Sequence, residues 1–244
     1  MNPTFGVENC LSFINCQLQP PGPSQAAADL PETKHAITIS RQSGCGAHVI
    51  AEKLANYLQS RTPPEASPWT VFDRNLVERV LADHHLPPRL SRFMPEDRVL
   101  EFNDFRDELF GLHPPSWTLV QQFSETILQL VEHGNVIIVG RGANIIAADV
   151  PHVLHVRLVS SLARRIERKQ HLQGLDRKEA LAAIRREDHG RERYIRKHFN
   201  RNIDDPLLYH LVLNADHITP DVAARFIGDL MYQKVAAGAA AAAA

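Results

Sequence analysis

Short runs of apolar and β-branched residues recur along the chain and alternate with longer stretches of helical spacing. Runs of this kind predict buried strands, whereas apolar positions repeated every three or four residues predict amphipathic helices. The predicted strands are AITIS at 36–40, WTVFD at 69–73, NVIIVG at 135–140, HVLHVRLV at 152–159 and YHLVLNAD at 209–216. The clearest predicted helices are VIAEKLANYL at 49–58 and LVQQFSETILQLVEH at 119–133.

This alternation of strands and helices predicts an α/β fold, in which a parallel sheet is covered by helices on both faces. Ligands of such sheets bind beyond the carboxyl ends of the strands. We therefore expect the functional residues directly after Ser40, Phe72, Gly140 and Val159.

The two ends of the chain differ in composition from the segment between them. Residues 17–34 contain four prolines among small polar residues, so we predict a disordered extension over 1–34. Residues 1–33 have no Lys or Arg and lack the basic part of a secretion signal. We predict a folded domain over 35–235. The alanine-rich tail at 236–244 is either the frayed end of the last helix or an appended sequence, and it carries no chemistry.

Composition and charge exclude several functional classes. The chain has 27 Lys and Arg against 28 Asp and Glu, and this net charge of −1 argues against an overall electrostatic nucleic-acid binder. No run approaches the roughly 18 apolar residues of a membrane helix. The three cysteines, Cys10, Cys16 and Cys45, show no metal-ligand spacing. These features predict a cytoplasmic protein from a reducing compartment, without a membrane segment or a metal site.

A small-residue turn follows the first predicted strand in SRQSGCGAHVIAEKLA and leads directly into a helix. Such a turn presents free backbone N–H groups and the positive end of the helix dipole, which suits a phosphate. The pattern departs from the P-loop signature GxxxxGK[ST], because Ala47 stands at the lysine and His48 at the Ser or Thr. The residues alone leave two interpretations open: a phosphate cradle formed by Ser43, Gly44 and Gly46, or an ordinary tight turn from strand to helix.

Polar residues also follow the second and third predicted strands. Asp73 comes directly after the second strand, where it either caps the next helix or binds amino or hydroxyl groups of a nucleoside. Gly140, Arg141 and Gly142 follow the third strand. The glycines let the backbone turn sharply while Arg141 presents its guanidinium to a phosphate or carboxylate. The alternative is a surface arginine paired with an acid.

The strongest compositional signal is a basic segment at residues 160–201. It holds thirteen Lys and Arg, ten of them arginine, against six acids, a local net charge of +7, whereas the rest of the chain carries −8. This asymmetry points to an anionic ligand, and arginine binds phosphate through two parallel hydrogen bonds. We interpret the segment as a polyphosphate lid. A solvated helical face and a nucleic-acid surface remain the alternatives.

Four segments of the chain carry a family resemblance. They are ITISRQSGCGAHVIAEKLA; VFDRNLVERV; VIIVGRGAN with HVRLVSSLARRIER; and IRREDHGRERY followed by DDPLLYHLVLNAD. In this order, over residues 36–216, they resemble the cytidylate kinase-like family, a branch of the P-loop nucleoside monophosphate kinases. The resemblance implies a three-layer P-loop kinase-like fold with a five-stranded parallel sheet. It also implies an acceptor-binding insertion between residues 74 and 133 and a helical, arginine-rich lid that closes over the donor.

The resemblance also implies roles for individual residues around the sheet. Asp73 would help to hold the acceptor nucleoside, and Arg141 would bind its monophosphate. Arg141 is also expected to act on the transferred group, together with arginines of the lid. The residues implied to bind the donor phosphates, with Arg41 added as a neighbouring cation, are Arg41, Ser43, Gly44, Cys45, Gly46, Ala47 and His48.

Within the lid, the resemblance singles out Arg186, Asp188 and Arg191. We expect Arg186 and Arg191 to be catalytic, with Arg191 reaching the transferring phosphate. The two arginines are five residues apart, which is about 140° around a helix, so both face one ligand only if the helix kinks or ends nearby. A shared ligand therefore predicts a kink or a helix end at Gly190.

The predicted function is that of a nucleotide kinase, in which ATP with Mg²⁺ donates its γ-phosphoryl group to a nucleoside monophosphate, with CMP as one candidate. Magnesium would be held mainly by phosphates and waters, since Val49 offers no hydroxyl. Loss of the P-loop lysine removes several kcal/mol of stabilisation unless another cation, Arg41 or a lid arginine, replaces it. The alternative is a catalytically inactive nucleotide-binding regulatory module with a degenerate P-loop.

Overall fold

The computed structural model describes residues 35–63, 66–72, 124 and 127–242, with side chains through residue 234. Its strands are β1 (Ala36–Arg41), β2 (Thr70–Phe72), β3 (Val136–Val139), β4 (Val153–Val159) and β5 (Leu211–Asn214). Its helices are α1 (Ala47–Gln59), a segment at 127–133, α2 (Ala143–Ile146), α3 (Leu162–Gln173), α4 (Arg177–Phe199) and α5 (Pro220–Ala242). A 3₁₀ turn at Pro206–Leu208 precedes β5. The extension predicted over 1–34 lies outside the described residues, as does most of the predicted insertion.

All five strands pair in parallel, in the order β2-β3-β1-β4-β5. The predicted α/β class and the five-stranded parallel sheet are therefore confirmed, and each apolar run contains one strand. The central strand is β1, where Ile39 pairs with Val139 of β3 and with Val156 of β4. The chain leaves β1, β3 and β4 at the same edge of the sheet, which makes the residues after these strands neighbours.

The sheet divides the apolar core into two layers. On one face, Ile39 packs in a cluster with Leu54 of α1 and Ile227 of α5. On the other face, Val153 of β4 packs in a cluster with Val131 from the 127–133 helix. Each fully buried Ile, Leu or Val contributes about 1.5–3 kcal/mol. Helix, sheet and helix thus form the three layers expected. No helix in the described part of the chain is long and apolar enough to cross a membrane.

Two helices, α3 and α4, form the basic segment that we interpret as a lid. The second of them begins with a capping box: Asp176 accepts from the Glu179 N–H, and the Glu179 carboxylate accepts from the Asp176 N–H. Ile166 of α3 packs against Ala180 and Ile184 of α4 in a small buried cluster. The two helices are therefore held together by apolar contacts of their own, apart from the main core.

The second of these helices runs without interruption from Arg177 to Phe199, through Gly190. Of the two alternatives predicted for a ligand shared by Arg186 and Arg191, the helix end at Gly190 is therefore wrong. Glycine in a helix interior costs only about 1 kcal/mol relative to alanine, so it does not end a helix that is otherwise well packed. An uninterrupted helix sets Arg186 and Arg191 on different sides, and Arg186 is exposed while Arg191 is partly buried.

A buried histidine of the sheet, His155, stacks on an exposed histidine, His210. The ring of His155 on β4 lies 4.9 Å from that of His210, and its Nδ1 lies 2.8 Å from Thr38 Oγ1 on β1. The backbone N–H of His155 donates to Nδ1 of His210. Burial, together with the charges of His210 and Lys234, lowers the pKa of His155 from 6.5 to about 4. His155 is therefore neutral at pH 7 in the folded protein.

We predict that His155 makes the protein less stable in mild acid. Its pKa is lower in the folded chain, so its contribution to stability is complete above pH 6.5 and is lost as the pH falls from 6.5 toward 4. The loss approaches about 1.4 kcal/mol per pH unit in this window. Urea unfolding should show a shallower pH dependence for His155→Asn than for the wild type, with the exposed His133→Asn as control. Equal slopes for His155→Asn and the wild type would contradict the prediction.

Candidate functional site

The turn between β1 and α1 is a tight loop that depends on two glycines. Gly44 and Gly46 have φ values of 79° and 85°, in the left-handed region that favours glycine. A Cβ at Gly44 would lie 2.8 Å from the backbone oxygen of Arg165 in α3. The first lid helix therefore lies directly against the backbone of the loop.

The first turn of α1 adds N–H groups to this loop. Gly46 is the N-cap, and it has no side chain that could accept a hydrogen bond from the N–H groups of that turn. A glycine cap thus leaves these groups available to an anion. Ala47 is buried, and the imidazole of His48 points to Glu52, with Nε2 3.2 Å from Oε1. Neither residue replaces the lysine or the hydroxyl of a standard P-loop.

Two carboxylates of α4 bind this loop at Ser43. The backbone N–H of Ser43 donates to Asp188 Oδ1 at 2.7 Å, and Ser43 Oγ donates to Glu187 Oε2 at 2.7 Å. Ser43 is itself buried. The donors of the loop therefore bind oxygen atoms of negatively charged groups, as a phosphate-binding loop does.

Three cations surround these carboxylates. Arg165 donates to Asp188 Oδ2, and Lys169 Nζ donates to Glu187 Oε1. Arg191 donates to both acids, at 3.0 Å to Asp188 Oδ1 and at 3.4 Å to Glu187 Oε2. Burial would raise the pKa of Glu187, but hydrogen bonds from Lys169 and the loop serine hold it below its usual value. We refer to Ser43, Arg165, Lys169, Glu187, Asp188 and Arg191 as the loop–lid cluster.

A further lid arginine connects the loop to the end of β5. Arg168 donates to the backbone oxygen of Gly44 and to that of Ala215, both at 3.2 Å. Next to it, Asp216 accepts a hydrogen bond from Ser160 Oγ, and this bond is the main reason why the pKa of Asp216 falls from 3.8 to about 2. The carboxyl ends of β1, β4 and β5 thus meet around one guanidinium.

Arg168 lines two neighbouring open cavities. One, of about 340 Å³, is lined by polar groups that include Arg164 and Asp216. The other, of about 380 Å³, reaches from Cys45 and Gly46 of the loop to α3 and α5. Its apolar lining consists of Val49, Ile50, Leu172 and Ile218. A flat apolar group can therefore bind next to the loop and the arginine.

Three consecutive residues with positive φ follow β3: Gly140 at 93°, Arg141 at 56° and Gly142 at 71°. A Cβ at Gly140 would lie 2.0 Å from Arg41 Nη1, and one at Gly142 would lie 2.7 Å from Phe199 Cε2. The turn therefore contacts the end of β1 through Arg41 and the end of α4 through Phe199. A left-handed backbone is uncommon at a residue such as Arg141, and such residues concentrate at functional sites.

Sequence reasoning missed a buried arginine on β4. Arg157, only 4% exposed, donates to Ser40 Oγ at 2.8 Å and to Asp204 Oδ1 at 2.5 Å. Its guanidinium lies 5.6 Å from the ring centroid of Tyr209, whose hydroxyl donates to Ile203 O. Arg157 therefore connects Ser40, near the end of β1, to Asp204 and Tyr209 in the segment that follows α4. The only signal in the sequence was a cation inside an apolar strand.

The structure brings together some of the predicted lid and loop residues. Ser43, Asp188 and Arg191 meet in the loop–lid cluster, whereas Arg186 is exposed elsewhere on α4. Cys45 is a buried free thiol whose pKa is raised by burial. The phosphate-binding and catalytic roles of these residues stay predictions.

The predicted acceptor residues are only partly described. Arg141 and Arg41 lie in adjoining turns at the ends of β3 and β1. Asp73 lies outside the described residues. Sequence reasoning also missed the cations Arg165 and Lys169, although their spacing of four residues places both on one side of α3.

Comparison with known proteins agrees with this geometry. Residues 36–217 match the model of the cytidylate kinase-like family. The chain belongs to this family. The comparison with curated proteins finds no match.

One solved structure shares the fold of this cytidylate kinase-like protein, and two others are more distantly similar to it. The crystal structure of an uncharacterized protein from Eubacterium ventriosum ATCC 27560 has a TM-score of 0.59 at 20% identity, covering 82% of this chain and 99% of that one. Shikimate kinase from Bacteroides thetaiotaomicron has a TM-score of 0.44 at 15% identity, covering 81% and 98%. A gluconokinase from Sinorhizobium meliloti 1021 has a TM-score of 0.40 at 14% identity, covering 82% and 98%. At these identities the likeness concerns the fold alone.

We predict that Gly44→Ala destabilises this cytidylate kinase-like protein more than Gly174→Ala does. Both positions have positive φ, 79° and 66°, so both substitutions strain the backbone by about 1 kcal/mol. Only at Gly44 would the new Cβ meet a backbone oxygen, at 2.8 Å, because nothing lies within 4 Å at Gly174. Thermal unfolding should show a lower Tm for Gly44→Ala, by about 2–4 °C for each additional kcal/mol. If the two variants have the same Tm, the contact between Gly44 and the backbone of Arg165 is looser than described.

Proposed function

We propose that this protein is a nucleotide kinase that transfers the γ-phosphoryl group of ATP, with Mg²⁺, to a nucleoside monophosphate, with CMP as one candidate acceptor. The observation that carries the proposal is the loop–lid cluster, in which Ser43 binds two anionic groups and three cations surround them. A polyphosphate needs the same donors and charges at a loop of this kind. Membership of the cytidylate kinase-like family supports phosphoryl transfer as the class of reaction.

The donor nucleoside is proposed to bind in the apolar cavity beside Arg168. Cys45 and Gly46 of the loop line this cavity, so a base bound there is adjacent to phosphates bound at the loop. The apolar side chains of Val49 and Leu172 provide the surface on which a flat base packs. The adenine and the triphosphate of ATP would then lie at opposite ends of a single site.

The acceptor is proposed to bind at the turn after β3. Arg141 has the charge and the two-pronged geometry to bind a monophosphate, and the family resemblance implies the same role. Asp73 would hold the acceptor nucleoside. Arg41, which lies against Gly140, stands between this turn and the donor loop and adds positive charge where the two phosphate chains would meet.

The magnesium ion is proposed to bind through phosphate oxygens and waters. The loop offers no hydroxyl at His48 or Val49, and no cluster of three metal-ligating side chains occurs within the residues that the structure covers. This donor set fits an ion that keeps several waters, which Mg²⁺ favours. The ion would neutralise negative charge on the phosphates, while Arg191 and the other cations of the loop–lid cluster would stabilise the transferring group.

A second candidate function is favoured by one observation, the alanine at position 47. Without the P-loop lysine, the protein could be a nucleotide-binding regulatory module that binds ATP and does not transfer its phosphoryl group. The two functions share the same site and differ only in chemistry. An assay that measures binding and turnover separately therefore distinguishes them.

We predict that the purified protein releases ADP when it is mixed with ATP, Mg²⁺ and a nucleoside monophosphate, and that one monophosphate is preferred. Product analysis by chromatography with each common monophosphate tests this. Thermal stabilisation by ATP without ADP release would select the regulatory module, since a ligand at a hundred times its Kd stabilises by about 2.7 kcal/mol whether or not chemistry follows. Absence of stabilisation by any nucleotide would contradict both functions.

We predict that Arg191→Ala lowers kcat by roughly 10²–10³-fold and changes acceptor KM much less, because its guanidinium neutralises charge that develops on the transferring group. Arg193→Ala, which removes an exposed arginine from the same helix, is the matched control. Steady-state kinetics of the two variants make the comparison. If Arg191→Ala behaves like Arg193→Ala, Arg191 belongs to a static basic surface.

A further inference from the structure

A buried lysine of α3 lies beside a loop that lacks a lysine of its own. Lys169 is 7% exposed, and its Nζ donates to Glu187 Oε1. The second oxygen of the same carboxylate, Oε2, accepts from Ser43 Oγ at 2.7 Å. One carboxylate therefore bridges the ammonium of Lys169 and the phosphate loop, in which Ala47 stands at the P-loop lysine position.

A phosphate group has the chemistry to replace this bridging carboxylate. Both groups present adjacent oxygens, carry negative charge and accept charge-assisted hydrogen bonds. If one phosphate oxygen accepts from Ser43 Oγ, another oxygen of the same group takes the position that faces Lys169. An ammonium is a compact point charge, and lysine is the usual phosphate-binding cation of P-loops.

The neighbouring cations are less suited to this exchange. Arg168 donates to the backbone oxygens of Gly44 and Ala215, which stay in place when a ligand binds. Arg165 donates to the backbone oxygen of Ser43, at 3.4 Å, as well as to Asp188 Oδ2, so it keeps these partners if Glu187 leaves. Arg191 is shared between Asp188 and Glu187 and keeps Asp188. The hydrogen bond of Lys169 goes instead to the side chain of Glu187, which can move away.

We propose that Lys169 supplies to the donor phosphates the ammonium that the loop lacks, and that Glu187 holds this ammonium in position until a phosphate replaces its carboxylate. The inference rests on the proposed nucleotide-kinase function and identifies Lys169 as a catalytic residue that touches the donor. No covalent bond of the protein forms or breaks. The hydrogen bonds of Lys169 Nζ and Ser43 Oγ pass from carboxylate oxygens to phosphate oxygens.

The charges of the loop–lid cluster favour this exchange. With three cations and two acids, the cluster has a net charge of +1 while both carboxylates are bound. Its net charge rises to +2 once the carboxylate of Glu187 has left. The site therefore gains positive charge at the moment when a polyphosphate enters. Removing the carboxylate in advance should tighten phosphate binding, because a competing anion is lost.

The test compares four variants of the full chain: Lys169→Met, Glu187→Gln, the double variant, and the control Lys178→Met. Lys178 is an exposed lysine of α4, so its loss changes the net charge equally without touching the loop. Calorimetric titration with inorganic tripolyphosphate and with ATP and Mg²⁺ measures binding, and ADP release measures turnover. Circular dichroism melts check that each variant folds. The double variant removes both members of the buried pair, so it leaves neither charge unpaired.

We expect Glu187→Gln to bind tripolyphosphate more tightly than the wild type. The double variant should bind it at least about tenfold more weakly than Glu187→Gln, because the loss of one charge-assisted hydrogen bond is worth about 1.5–3 kcal/mol. It should also lose turnover, whereas Lys178→Met should match the wild type in both measurements.

Two results would overturn the inference. If Lys169 only stabilises Glu187, the double variant will match Glu187→Gln in binding and turnover. If the carboxylate does not occupy a phosphate position, Glu187→Gln will bind tripolyphosphate no more tightly than the wild type, a result that does not depend on whether the Lys169 variants fold.

The same titrations separate this inference from the proposed function. A wild type that neither binds ATP with Mg²⁺ nor releases ADP shows that the proposed function is wrong, and the role of Lys169 falls with it. The other outcome is that the wild type binds and turns over ATP while the double variant matches Glu187→Gln. In that case the proposed function holds, and only the role of Lys169 is wrong.

Discussion

The contact between the lid and the loop at Ser43 is the interaction on which the rest of the site depends. The N–H and hydroxyl of Ser43 bind two carboxylates of α4, and this is possible only because Gly44 lets α3 approach the loop backbone. The parallel sheet sets the position of this contact, since the chain leaves β1 and β4 at the same edge. Loop, lid and sheet edge therefore form one hydrogen-bonded structure rather than three adjacent features.

The same contact explains how a strongly cationic segment can fold. Buried Arg165 and Lys169 would be costly without partners, because an uncompensated buried charge destabilises by several kcal/mol. Glu187 and Asp188 supply those partners at the loop. Arg157 follows the same rule on β4, where Ser40 and Asp204 satisfy its guanidinium. The acids, which are a minority in this segment of the sequence, thus hold the basic segment against the loop between β1 and α1.

The sequence predicted the elements well and the contacts between them poorly. The five strands followed from apolar runs because a buried parallel strand has few other compositions available. The helix end at Gly190 was wrong because the cost of one helical glycine is small beside the packing of a long helix. Lys169 was overlooked because thirteen cations in one segment look alike until packing shows which are buried. Likewise, the sequence of β4 shows Arg157 as a cation in an apolar strand, but it does not show that this residue binds both Ser40 and Asp204.

The most direct test of this account is a crystal structure with Mg²⁺ and a non-hydrolysable ATP analogue. The account predicts that phosphate oxygens accept hydrogen bonds from the N–H and hydroxyl of Ser43 and from Lys169 Nζ, with the carboxylate of Glu187 moved away. The base should lie in the cavity lined by Val49 and Leu172. A nucleotide bound elsewhere, with Ser43 still hydrogen-bonded to both Glu187 and Asp188, would contradict it.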